Sequence, residues 1–258
     1  MRQLATLPDD LLRLPVAHRA LHDRSDGRPE NSRAAIRAAI AAGYAIEIDL
    51  QLTADGQAVV FHDYDLKRLT AETGAVRKRT AAELEQIPLT GGDGEGIPGF
   101  DEVLALVAGQ VPLLVEIKDQ DGAMGPDVGP LEAAAAAALA GYDGPVAVMS
   151  FNPHSMAEMA RLAPDLPRGL VTSAYDPSKW PLSPEVCDHL RRIPDFDRVE
   201  AAFISHEAAD LGRARVRALH GEGVPVLCWT IRSLAAEAAA RKLADNITFE
   251  GYLAAIPG

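Results

Sequence analysis

Nine short apolar runs alternate with helical patterns between residues 14 and 249, and this alternation confines the chain to an α/β architecture. The runs are Leu14–Ala17, Ala45–Leu50, Ala58–Phe61, Pro112–Ile117, Val146–Met149, Gly169–Thr172, Ala202–Ile204, Pro225–Cys228 and Ile247–Phe249. Between them lie helix-forming stretches. The first is capped by Asn31 or Ser32 and stopped by Gly43; the others cover 98–107, 133–138, 153–162, 183–192, 208–220 and 233–244. Eight parallel strands, each followed by a helix, make a (β/α)8 TIM barrel of about this length. The surplus run, Ala58–Phe61, follows the Asp55-Gly56 turn signal with no room for a crossover helix, so it reads as a hairpin arm at the barrel mouth. No Ser/Pro/Gly-rich linker divides the chain, so residues 1–258 read as one domain. Residues 64–97, polar and closing on GGDGEG, read as an insertion over the carboxyl end of the barrel, with a short helix near 81–86. A doubly wound open sheet is the alternative architecture.

Polar residues recur where these strands end, and in such barrels the carboxyl ends carry the active site. Glu47 and Asp49 stand two apart on one strand and therefore share a face, with Ile46, Ile48 and Leu50 on the other. Paired acids can mark a solvated face, but these sit inside an apolar run, where unpaired charge is costly. If the turn centres on residues 55–56, His62 returns beside Asp49. Glu116 and Lys118 repeat the spacing of two on another strand, and the first strand ends in His18-Arg19. Ser150, Phe151, Ser205, His206, Trp229 and Thr230 end further strands; of these Ser150, Phe151 and His206 are read as cleft lining and Trp229 as a cleft wall, whereas His22, His154, His189 and His220 are read as surface residues. Three carboxylates, Glu47, Asp49 and Glu116, suit a hard cation such as Ca²⁺ or Mg²⁺. Arg19 and Lys118 suit a phosphate, and His18 and His62 can serve as acid and base around it. The reaction that uses all seven groups is metal-assisted phosphodiester cleavage.

The net charge of −12 and pI near 5.0 speak against nucleic-acid binding, which rests on cationic surfaces. Cys187 and Cys228 lack metal or redox spacing and read as free thiols of a reducing, cytoplasmic compartment. The opening MRQLATLPDDLLRLP has early acids and no apolar core of a signal peptide, and no run approaches a membrane span.

The motifs HR at 18–19, PENS at 29–32, AGYAIEIDLQLTADGQAVVFHD at 42–63, LVEIK at 114–118, SF at 150–151 and WT at 229–230 resemble the glycerophosphodiester phosphodiesterase family. The resemblance spans nearly the whole chain in order, and the segment from EID to HD is its most specific part. It implies a (β/α)8 barrel and hydrolysis of small-molecule glycerophosphodiesters to glycerol 3-phosphate and an alcohol. It also implies one divalent cation, Ca²⁺ or Mg²⁺, on Glu47, Asp49 and Glu116, catalysis by His18 and His62, and phosphate contacts from Arg19 and Lys118. Trp229 is read as a substrate-binding wall, and Glu30 and Asp63 as supporting groups. The alternatives are a related barrel phosphodiesterase acting on lysophospholipid or phosphoinositide, against which the lack of a membrane anchor speaks, and a phosphate-binding protein without turnover. Four residues depart from the family pattern. Ala20 stands where glycine usually follows HR, Arg232 where an asparagine is common after WT, and Phe249-Glu250 where the last strand usually ends in Thr-Asp.

Overall fold

The computed structural model describes residues 5–257; residues 1–4, which open the segment read as having no signal peptide, lie outside them. Eight parallel strands are β1 (Val16–Ala17), β2 (Ala45–Leu52), β4 (Leu113–Ile117), β5 (Val146–Ser150), β6 (Arg168–Thr172), β7 (Phe203–Glu207), β8 (Val226–Ile231) and β9 (Asn246–Phe249). Pairing of β1 with both β9 and β2 closes them into a barrel. The remaining strand, β3 (Ala58–Val60), runs antiparallel on the outer edge of β2, as expected of a hairpin arm.

Alternation along each strand divides the core in two. Ala45 of β2 and Leu114 of β4 point into the barrel with Val16, Ala147, Met149, Val171, Phe203 and Leu227. Ile46, Ile48, Leu50, Val115 and Ile117 point outward and pack under the helices. By the same parity Glu47, Asp49, Glu116 and Lys118 face inward, above that apolar layer and toward the carboxyl ends. Below it, the helix Asp9–Arg13 inserts Leu11 into the amino end of the barrel, and Asn246 Nδ2 donates to the Leu11 and Leu14 carbonyls. The five residues of this helix carry too short a pattern to be read from sequence, and the first strand is correspondingly only two residues long.

Ser32 caps the helix Arg33–Ala42 by accepting from the Ala35 N–H, and Gly43 at φ 75° ends it. Asn31 is therefore free for another task, described below. The helix expected over 208–220 is broken: a 3-10 turn at Ala208–Asp210 precedes the helix Ala214–Gly221. Gly212 separates them, as a residue poor at sustaining helix would.

The register of the hairpin corrects one expectation. Leu50 pairs with Val60 and Leu52 with Ala58, which leaves a five-residue loop centred on Asp55 rather than a two-residue turn. Thr53 makes the wider loop: its hydroxyl donates to Asp55 Oδ1 at 2.6 Å and accepts the Gln57 N–H at 2.8 Å. Phe61, not His62, thus lies opposite Asp49, and its N–H donates to the Asp49 carbonyl. His62 falls one residue beyond, where Gln51 Nε2 donates to its carbonyl at 2.9 Å. The insertion 64–97 builds its own apolar cluster from Leu66, Leu69, Val76, Leu84, Ile87 and Leu89 against Val59 and Phe61. Its helix Ala81–Glu85 starts with a Thr80/Glu83 capping box.

Candidate active site

A cleft of about 650 Å³ opens at the carboxyl ends of the strands and is lined by His18, Arg19, Glu47, His62, Glu116, Lys118 and Trp229. Seven of the eight residues expected at the site therefore meet there. The eighth, Asp49, lies against them, 1% exposed. Adjacent-strand register brings the acids together: Asp49 pairs with Glu116, and Glu47 sits two residues before Asp49. One oxygen of each of the three lies within 4.8 Å of the others.

Two cations meet this cluster unequally. Lys118 Nζ lies 2.7 Å from Asp49 Oδ1 and 2.6 Å from Glu116 Oε1. Arg19 Nε lies 3.6 Å from Asp49 Oδ2, while its Nη1 donates to Glu30 at 2.7 Å. Asn31 Nδ2 donates to Asp49 Oδ2 at 2.9 Å. Burial works against an ionised Asp49, but Lys118, His62 and Arg19 outweigh it and hold its pKa far below the ordinary value. Burial likewise works against a charged Lys118, and Asp49 and Glu116 overcome it, raising its pKa. Glu47 is the exception. It is 1% exposed, and its Oε2 accepts the Arg19 backbone N–H at 2.8 Å. Burial, then repulsion from Asp49 and Glu116, pushes its pKa well above the usual carboxylate range. A buried all-oxygen cluster with one carboxylate short of positive charge is the donor set a hard divalent cation fits. The backbone aims that N–H through strain: Arg19 and Ala20 have φ of 53° and 64°, the left-handed region that costs a non-glycine residue about 1–2 kcal/mol. Ala20, where the family pattern has glycine, bears this conformation with a side chain.

The two histidines are held alike. His18 follows β1 and places Nδ1 2.5 Å from Glu250 Oε2, and Arg232 Nε donates to Glu250 Oε1 at 2.7 Å. His62 places Nδ1 2.7 Å from Asp63 Oδ1, and Arg68 Nε donates to Asp63 Oδ2 at 2.6 Å. Arg68 also donates twice to Glu30, at 2.7 and 2.8 Å, and so links the insertion to the PENS segment and through Glu30 to Arg19. Arg68 carries no signal in the sequence, because it lies in an irregular polar stretch. Glu250 is visible there only as a departure from pattern. His22, expected at the surface, lies with Nε2 3.6 Å from Glu250.

The opposite wall is aromatic. Phe151 packs edge-on against Trp229 at 5.5 Å between centroids and tilted against Trp180 at 5.3 Å. Trp229 satisfies its indole N–H on the Ser205 carbonyl at 3.0 Å, leaving its ring as a wall. A register irregularity between Cys228 and Ile231 lets neighbouring Trp229 and Thr230 both line the cleft, which strict alternation forbids. Ser150 and His206, expected as lining, are buried away from it. Ser150 donates to the Ile117 carbonyl, and His206 is held by Thr172 and Asp210.

Fold and cleft together define a closed parallel (β/α)8 barrel with an acidic pocket and two carboxylate-held histidines at the carboxyl ends of its strands. A family model described as the glycerophosphoryl diester phosphodiesterase family matches residues 18–246. The chain belongs to this family and is one of its enzymes. A glycerophosphodiester phosphodiesterase of Caldanaerobacter subterraneus subsp. tengcongensis is 34% identical over 167 residues, 61% of this chain and 66% of that protein. An Oleispira antarctica phosphodiesterase, solved in complex with the product sn-glycerol-3-phosphate, matches with a TM-score of 0.75 at 26% identity over 92% of this chain and 93% of that one. A glycerophosphodiester phosphodiesterase from Parabacteroides distasonis, 22% identical, shares the fold at a TM-score of 0.70 over 92% of each chain. Among the described residues no helix is long and apolar enough to cross a membrane.

Proposed function

We propose that the chain hydrolyses small glycerophosphodiesters to glycerol 3-phosphate and an alcohol, with His18 as general base and His62 as general acid. The observation that carries this reading is the pair of histidines lining one cleft, each with Nδ1 on a carboxylate, beside a buried group of three acids. The product bound to the Oleispira antarctica phosphodiesterase supports the same product here.

Glu47, Asp49 and Glu116 would hold one divalent cation, Ca²⁺ or Mg²⁺, which when bound polarises a phosphoryl oxygen and lowers the pKa of a neighbouring hydroxyl. His18 takes the proton of the glycerol 2-hydroxyl on the ring nitrogen that Glu250 leaves free. The 2-oxygen bonds to phosphorus as the bond from phosphorus to the head-group oxygen breaks, and His62 gives its proton to that departing oxygen. Arg19 and Lys118 offset the charge that builds on the phosphoryl oxygens. Water, giving a proton to His62, then opens the cyclic phosphate, and the 2-oxygen recovers the proton held by His18. Holding nucleophile and phosphorus in one bound molecule supplies the orientation the reaction requires. Trp229 and Phe151 would pack against the substrate. Buried, unpaired Cys187 and Cys228 support a cytoplasmic setting, and barrel and insertion act as one domain, since both contribute to the cleft.

Incubation with glycerophosphocholine, followed by assay of all products, tests the reading. Glycerol 3-phosphate and choline should appear in equal amounts. Phosphocholine with glycerol, or no turnover with Ca²⁺ or Mg²⁺ supplied, would overturn it.

A further inference from the structure

We propose that Glu250 is a positioning residue for His18, and that Arg232 holds Glu250 in place; this rests on the reading of His18 as the base. The two side chains touch each other. Arg232 Nε donates to Glu250 Oε1 at 2.7 Å, while Glu250 Oε2 lies 2.5 Å from His18 Nδ1. Each arm of the carboxylate thus has its own partner.

Backbone geometry sets up the contact. The His18 N–H donates to the Phe249 carbonyl at 2.9 Å, and Ala17 pairs with Phe249, so β1 and β9 deliver residues 18 and 250 side by side. The Glu250 N–H donates to the Ile231 carbonyl at 3.0 Å, which ties it to the end of β8, where Arg232 begins. An ionised carboxylate only accepts, so the proton between the two must sit on Nδ1. That leaves the other ring nitrogen neutral and able to take a proton. Glu250 is fit for this role, because its hydrogen bond to His18 and then its contact with His22 hold its pKa well below the ordinary carboxylate value. His62, Asp63 and Arg68 repeat the same order of groups on the other side of the cleft.

His18, His22 and Glu250 are also close enough together to hold a metal ion. Arg232 argues against that use. A guanidinium already occupies one oxygen of the lone carboxylate, and a second cation would have to share its charge. The groups around the His18 ring are Arg19 on its own loop, Asp49 of β2 and Glu250 after β9, with His22 and Arg232 behind Glu250. Burial lowers the pKa of His18, and the Glu250 bond works against that.

The test compares wild type with Glu250→Gln, Glu250→Asp, Arg232→Asn, His18→Ala and the double variant His18→Ala/Glu250→Gln, on glycerophosphocholine at saturating cation. Glu250→Gln should lower kcat about 10–100-fold, with KM changed less than about twofold. Its acid limb in kcat/KM should move to lower pH, because the carboxylate that favours protonated His18 is gone. Glu250→Asp should recover part of the rate, and Arg232→Asn should lose less than Glu250→Gln. The double variant should be no slower than His18→Ala, since Glu250 acts only through that ring. The ¹⁵N spectrum of wild-type His18 should show the proton on Nδ1, a readout that needs no variant to fold. A Glu250→Gln kcat within twofold of wild type, a double variant slower by the full factor of Glu250→Gln, or a proton on Nε2 would overturn the proposal. A fully active His18→Ala would instead overturn the reading of His18 as base.

Discussion

The Lys118 ammonium bridges Asp49 and Glu116, at 2.7 and 2.6 Å, and so shares its one positive charge between two of three buried carboxylates, while Glu47 accepts a backbone N–H and meets no side-chain cation among the described residues. A cation bound at Glu47 would draw on the same oxygens that Lys118 now holds. The charge balance of the cluster therefore depends on what is bound there.

Removing one acid should separate binding from folding. Asp49→Asn keeps the shape of the side chain, and Lys118 keeps Glu116 as partner. Calorimetric titration should show one Ca²⁺ or Mg²⁺ per wild-type chain and none for Asp49→Asn. Cation at 100 times its Kd should stabilise wild type by about 2.7 kcal/mol and raise its Tm, with no rise for the variant. Activity that survives exhaustive chelation would refute the metal site.

His62→Ala should distinguish between leaving groups. With choline as leaving group the loss should be about 10²–10⁴-fold, the usual worth of a positioned acid. With p-nitrophenol, which departs without a proton, the loss should be several-fold at most. Equal losses with the two substrates would reject His62 as the acid.

A glycerophosphodiester lacking the 2-hydroxyl tests the internal attack. It should be turned over at less than about a hundredth of the parent rate, because orientation within one molecule is the advantage at stake. Hydrolysis at a comparable rate would make water the nucleophile and leave the phosphodiesterase reading intact.

Gly96 offers a test of how the insertion is held. A Cβ there would overlap the Glu85 carbonyl oxygen, and the Gly96 carbonyl accepts Arg33 Nη1 at 2.8 Å. Gly96→Ala should lower stability by about 2–4 kcal/mol and Tm by roughly 5–10 °C in a thermal melt. Gly99→Ala is the control: φ is −70°, nothing lies within 4 Å of the added carbon, and Tm should stay within about 1–2 °C.

What the sequence determined by itself is whatever follows from local period and local chemistry. Strand alternation put Glu47 with Asp49 and Glu116 with Lys118 on shared inward faces, and the structure keeps both pairs there. The alternation of strands and helices likewise specified a parallel sheet, since each helix returns the chain to the same end, and pairing of β1 with β9 closed that sheet into a barrel rather than leaving it open. The tertiary structure decided everything that depends on which distant residues meet. Thr53 widened the hairpin loop and moved His62 one residue past Asp49, because a side-chain hydrogen bond selected the turn. Arg68 reached Glu30 and Asp63 from an aperiodic insertion whose fold depends on packing against Val59 and Phe61. Closure of the barrel brought residue 250 to residue 18, across 232 positions. Periodicity encodes which way a side chain points. It does not encode which side chain from another part of the chain it will meet, because that is set by how the strands close and the loops pack.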